Sequence, residues 1–139
     1  MKRRKIAVTT GARADYGLLR PILSKISSSK NLDLFLIVTG MHLSKKYGLT
    51  INEIKKDGFK ASTSFTMLQK GTSKHLMSKT LGNAVVKFSN FFNKIKPDIN
   101  LVLGDRDEMF ASAISAYHMN IPNAHIHGGD RSGGLDEYT

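Results

Sequence analysis

Short β-branched runs alternate along the whole chain with longer stretches of helical periodicity, and this alternation limits the fold more than any other feature. Lys5 to Thr10 reads as a buried strand, and a Gly11–Tyr16 loop follows it. Leu18, Leu19, Ile22, Leu23 and Ile26 then recur at helical spacing, with Pro21 in the early turns where it is tolerated. Ser27-Ser28-Ser29 ends that helix, and Leu32–Val38 is a second strand. Thr39–Thr50 is a polar, glycine-containing loop before a short helix that carries Ile51 and Ile54 and stops at Asp57-Gly58. Ala61–Met67 reads as a third strand. Gly71-Thr72-Ser73 precedes the longest helix, whose stripe is Met77, Leu81, Ala84, Val85, Phe88, Phe92 and Ile95, with Pro97 as its stop. Ile99–Leu103 is a fourth strand. Met109, Ala113, Ile114 and Tyr117 support a helix ending near Asn120, and Ala124–His127 is a fifth strand.

The order β-α-β-α-β-α-β-α-β predicts a doubly wound parallel sheet of the α/β class, Rossmann-like, with helices on both faces and right-handed crossovers. The 139 residues make one domain and can bury an ordinary core. Gly128–Thr139 has no closing helix, so the chain is expected to be part of a longer protein. An apolar share of 40% and a charged share of 23% suit a globular chain. No apolar run is long enough to cross a bilayer, so no membrane partner is expected. Met1-Lys2-Arg3-Arg4-Lys5 runs straight into a strand, unlike a secretory signal, and a cytoplasmic location is the expectation. There is no cysteine, which excludes disulfides and thiolate metal sites.

The formal charge of +10 invites a nucleic-acid partner. Its distribution argues against one, because lysines and arginines are spread from Lys2 to Lys96, mostly singly or in pairs. Asp105, Asp107, Glu108, Asp130, Asp136 and Glu137 instead gather in the last third. A polyanionic small ligand remains compatible with the cationic excess. Phe88, Phe91 and Phe92 lie in a helical pattern and read as core, not as an RNA-stacking platform.

Ligands of open parallel sheets bind outside the carboxyl ends of the strands, and three strand ends here carry glycine beside ionisable groups. Gly11-Ala12-Arg13 is a phosphate-loop candidate: the glycine allows close backbone approach, the next helix offers unpaired N–H groups, and Arg13 supplies a charged fork. A tight turn with Arg13 paired to Asp15 is an equal alternative. Neither G-x-G-x-x-G nor the Walker pattern is present. His42, after the second strand, could reach the cleft, although a lone loop histidine is more often solvated. At Gly104-Asp105-Arg106 a carboxylate beside a guanidinium can serve as acid or base, or can orient a sugar hydroxyl. We assign Asp105 to the cleft and Asp107 to capping the following helix. His125 and His127 alternate, which would put both rings on one side of a strand. A metal with Asp130 as third ligand ranks below proton transfer or hydrogen bonding. Asp130–Glu137 reads as a charged substrate loop or a solvated turn.

Together these segments resemble the hydrolysing UDP-N-acetylglucosamine 2-epimerases of sialic acid biosynthesis. The similarity rests on Val8–Pro21, Val38–Leu43, Tyr47-Gly48, Asp57-Gly58-Phe59, Pro97-Asp98, Leu103–Met109 and Asn120–Gly129, in that order. The resemblance implies the N-terminal half of a two-domain, GT-B-type fold with the active site between the domains, so the C-terminal domain would be missing. It implies elimination of UDP with loss of the C2 proton, a glycal intermediate, and then addition of water at C1 with reprotonation at C2 from the other face. Free N-acetylmannosamine and UDP result, with no metal or other cofactor. Carried over by motif, Arg13 and Arg106 contact ligand, Gly17 stands at a nucleotide contact, Asp105 is a catalytic acid or base, and Asp136 matches the late acid. His127 stands as a catalytic residue where related epimerases often carry Glu, which leaves the exact proton carrier open, and nearby Asp130, a substrate-binding position, could share the work. The resemblance also implies a homo-oligomer when full length and little or no activity for this chain alone. A UDP-2,4-diacetamido-sugar epimerase of legionaminic acid synthesis and a non-catalytic sugar-nucleotide-binding module are the alternatives.

Overall fold

The computed structural model describes residues 2–67, 71, 73–129 and 133. The elements are β1 (Arg4–Thr10), α1 (Arg13–Ser28), β2 (Leu32–Thr39), α2 (Ile51–Lys56), β3 (Thr63–Phe65), α3 (Lys74–Ile95), β4 (Ile99–Leu103), α4 (Asp107–His118) and β5 (Asn123–Ile126). Two short 3-10 turns, Gly40–Leu43 and Lys45–Tyr47, fill the polar loop after β2. The five strands lie in the order β3-β2-β1-β4-β5. Each pairing is parallel, for instance Val8 with Leu36 and with Leu101, and Leu101 with Ala124. This is the doubly wound α/β arrangement that the alternation predicts.

Alternating side chains of the central strands feed two cores. Ile6, Val8, Leu36 and Val38 pack with Tyr16, Leu19, Leu23 and Ile26 of α1 and with Ile54 of α2. Ala7 and Ile37 face the other way, onto Ala84, Phe88, Phe92 and Ile95 of α3 and Ala111 and Ala116 of α4. Phe88 anchors the second layer, fully buried and edge-on to Phe65 with ring centroids 5.0 Å apart. The chain leaves β1 through α1 toward β2 on one side and leaves β4 through α4 toward β5 on the other. The crevice between the carboxyl ends of β1 and β4 is therefore the switch point of the sheet.

Several local expectations change. Helix α1 begins at Arg13, not after a loop reaching Tyr16, because Asp15 folds back onto the start of the helix. Its carboxylate accepts the Ala12 N–H at 2.8 Å and the Gly11 N–H at 3.2 Å. Pro21 consequently lies inside the helix, where it lacks the N–H that would bond the Gly17 carbonyl. Met77 is 55% exposed and turns to a surface cleft, so the apolar stripe of α3 starts at Leu81, which packs against the second core. The residue before α4 is Arg106, with no side-chain cap, and Asp107 is the first helical residue, so Asp107 does not cap that helix. Strand β5 ends at Ile126, and His127 turns into the left-handed region at φ 61°. The alternation that would put both histidine rings on one face is broken there.

Candidate active site

The carboxyl edge of the sheet is organised around a buried polar cluster. Thr10 ends β1, and its hydroxyl donates to the Asp15 carboxylate and meets Nε2 of His42 at 2.9 Å. His42 Nδ1 lies 2.6 Å from the Thr50 hydroxyl. The ring is fully buried, contrary to the expectation of a solvated loop histidine, and burial lowers its pKa to about 4. Burial also raises the Asp15 pKa, against the hydrogen bonds from Thr10, Ala12 and Gly11. The Met41 N–H donates to the Gly11 carbonyl at 2.8 Å, which joins the loops after β1 and β2.

Arg106 and Glu108 close this cluster on the α4 side. Arg106 donates from Nε to Glu108 Oε2 at 3.2 Å and from Nη2 to Oε1 at 3.1 Å. The hydrogen bond and charge of Glu108 raise the Arg106 pKa, which holds the guanidinium cationic. The two side chains border a cleft of about 360 Å³ whose other walls include Met67, Leu76, Met77 and Thr80. Asp105 lines a different hollow, of about 280 Å³, beside Met109, Phe110, Tyr117 and His125. The adjacent residues Asp105 and Arg106 thus diverge at the start of α4.

The remaining candidates are more dispersed. Arg13 is exposed in the first turn of α1 and pairs with Glu53 of α2 at 3.3 Å, not with Asp15. Gly17 lies on the open surface of the same helix. His125 Nε2 bonds the Gly104 carbonyl at 2.7 Å, which ties the end of β5 to the loop after β4. His127 is exposed just beyond β5. Asp130 and Asp136 lie outside the described residues. Among the described residues no group of three His, Asp or Glu side chains is placed to hold a metal ion. Among them, too, no helix is long and apolar enough to cross a membrane.

The family model described as UDP-N-acetylglucosamine 2-epimerase matches residues 24–138. The chain belongs to that family. It is 46% identical over 134 residues to the UDP-N,N'-diacetylbacillosamine 2-epimerase (hydrolyzing) of Legionella pneumophila, covering 96% of this chain and 36% of that protein. It is 36% identical over 134 residues to the UDP-N-acetylglucosamine 2-epimerase of Neisseria meningitidis, covering 96% of this chain and 35% of the relative. The chain therefore spans about a third of the length of these curated relatives. The fold matches a crystal structure of UDP-N-acetylglucosamine 2-epimerase with a TM-score of 0.82 and 24% identity, covering 96% of this chain and 34% of that one. The Neisseria meningitidis enzyme bound to UDP-GlcNAc matches with a TM-score of 0.80 and 21% identity, over 94% of this chain and 33% of that one.

In this epimerase-family domain the buried polar groups Asp15, His42 and Glu108 form the floor of the sheet edge. Sequence reasoning puts His42 within reach of the cleft and Glu108 among the acids of the last third, but it assigns neither these nor Asp15 a buried position. The available signals are Thr10 and His42 at or just after the ends of neighbouring strands, Asp15 five residues after Thr10, and a Glu two residues after Arg106.

Proposed function

We propose that this chain is the N-terminal lobe of a hydrolysing UDP-sugar 2-epimerase that converts UDP-N-acetylglucosamine and water into N-acetylmannosamine and UDP. One observation carries it: the four loop motifs at Gly11, Gly40, Gly104 and His127–Gly129 all follow parallel strands of one sheet, in a chain of this family. Two of them flank the switch-point crevice. Arg106, kept cationic there, suits the diphosphate that leaves with its electron pair. Arg13 would add a second cation and Gly17 a close approach to the nucleotide. Asp105 would serve as acid or base, with His127, Asp130 and Asp136 completing proton transfer at C2 and the addition of water at C1. The weakly acidic C2–H requires such groups to be aligned closely, and closure by a C-terminal domain would supply that alignment. Asp105 and Arg106 face separate hollows in this lobe, so on this proposal closure by the second domain around the bound sugar brings both to bear on one substrate.

A second substrate is favoured by a specific observation. The relative at 46% identity acts, by its name, on UDP-N,N'-diacetylbacillosamine, as does a Campylobacter jejuni relative at 38% identity whose name also admits the GDP form. A sugar bearing a further acetamido group is therefore the alternative substrate. The test is turnover by the full-length protein, as a soluble cytoplasmic homo-oligomer, with each UDP-sugar in parallel and Asp105→Asn as control. Release of UDP with the 2-epimer supports the proposal, and the higher kcat/KM names the substrate. Binding without UDP release would make the chain part of a non-catalytic module. An unchanged rate in Asp105→Asn would remove Asp105 from the chemistry.

A further inference from the structure

Glu108 has no part in the chemistry above, yet it is 5% exposed and sits at the centre of the site. Its side chain passes between two loop glycines. A Cβ on Gly11 would lie 2.7 Å from Glu108 Cδ, and one on Gly40 would overlap the carboxylate. These glycines leave room for this one acid, and the Met41–Gly11 hydrogen bond fixes their loops to each other. At its tip the carboxylate engages the Nε–Nη2 edge of Arg106 through both oxygens. A guanidinium has five N–H donors. Two are used by Glu108, and the three on the other edges meet no acceptor among the described residues, at the rim of the cleft that Arg106 lines. Arg106 precedes α4 with extended backbone, φ −65° and ψ 155°, and without the carboxylate its long side chain would be free to change rotamer.

We propose that Glu108 is the positioning residue for Arg106. It fixes the guanidinium by one edge so that the other edges meet an anionic group of the sugar nucleotide, and it clips the Gly11 and Gly40 loops to the start of α4. One pair thereby sets both the cation and the two loops that border it. This rests on the assignment of Arg106 as a ligand contact in the function proposed above.

The experiment is a double-variant cycle in the full-length protein, using Glu108→Gln, Arg106→Lys and both together. Glu108→Gln keeps the volume and removes the charge, whereas Arg106→Lys keeps the charge and removes the fork. Each single variant is expected to lower kcat/KM about tenfold or more, and the double variant no further than the worse single one. In a crystal structure of full-length Glu108→Gln, the Arg106 guanidinium is expected to leave its place in the parent. If Glu108→Gln does not fold, Glu108→Asp, a methylene shorter, replaces it in the same cycle and the same crystal structure. Losses that multiply in the double variant, or a guanidinium that stays in place, would overturn the assignment. If the parent turns over no UDP-sugar, the proposed function fails, while the position of Arg106 in the variant crystal still decides this inference.

Discussion

His42 is sealed from water with a hydroxyl on each ring nitrogen, and its pKa of about 4 is set mainly by burial. An unfolded imidazole titrates near 6.5, so between about pH 4 and pH 6.5 the unfolded chain binds more protons than the native one. Stability therefore declines as pH falls through that window, by about 2 kcal/mol from this group at roughly pH 5. Asp15 acts in the opposite sense, since its raised pKa favours the native state on acidification. Comparing the parent with His42→Gln isolates the imidazole. Urea unfolding at pH 7 and pH 5 is expected to show a smaller loss in the variant, and parallel losses would mean that His42 does not titrate with folding. Gly17 is a simpler case. It lies in α1, and a Cβ added there would meet nothing within 4 Å, so Gly17→Ala is expected to stabilise by about 0.5–1 kcal/mol. A fall in turnover despite that gain would locate the effect at the ligand, and a lower melting temperature would contradict the helix geometry.

At the scale of elements, the most demanding position is the turn after β2. Gly40 has φ +62° and abuts Glu108 and the Gly11 carbonyl. Gly40→Ala is expected to destabilise by about 2 kcal/mol or more, from the positive φ and the overlap together. Phe88→Ala should cost about 3–5 kcal/mol, because the ring fills the layer between α3 and the sheet, whereas exposed Val86→Ala should stay within about 0.5 kcal/mol. Calorimetric melting of the three variants tests that ranking. Much of this element structure is legible in the sequence. Strand β4 can be read from it because Pro97 and Gly104 bracket an apolar run. The start of α1 cannot, because Ala12 is no capping residue and the cap comes backward from Asp15. The end of β5 and the start of α4 differ from expectation where backbone geometry outweighs side-chain pattern: His127 turns left-handed, and Arg106 precedes α4 without a side-chain cap. The divergence of Asp105 from Arg106 follows from that immediate helix start, and no spacing rule shows it. Glu108 is legible only as one of several acids near the site, since its partners lie on three separate loops.

At the scale of the whole molecule, the lobe offers one sheet edge with a fixed cation, while the curated relatives are about three times longer than the chain. On the proposed function, elimination needs closure around the sugar, so residues 1–139 alone are expected to turn over at least about 100-fold more slowly than the full-length protein. On the same proposal, the C2–H bond breaks as UDP leaves and a new C2–H bond forms from solvent. Running the full-length reaction in deuterium oxide and analysing the sugar by proton NMR distinguishes this route from simple hydrolysis. The expected product is the free 2-epimer with deuterium at C2, formed together with UDP. Free sugar that retains its original configuration and its C2 proton would contradict the claim, because UDP would then have left by simple hydrolysis.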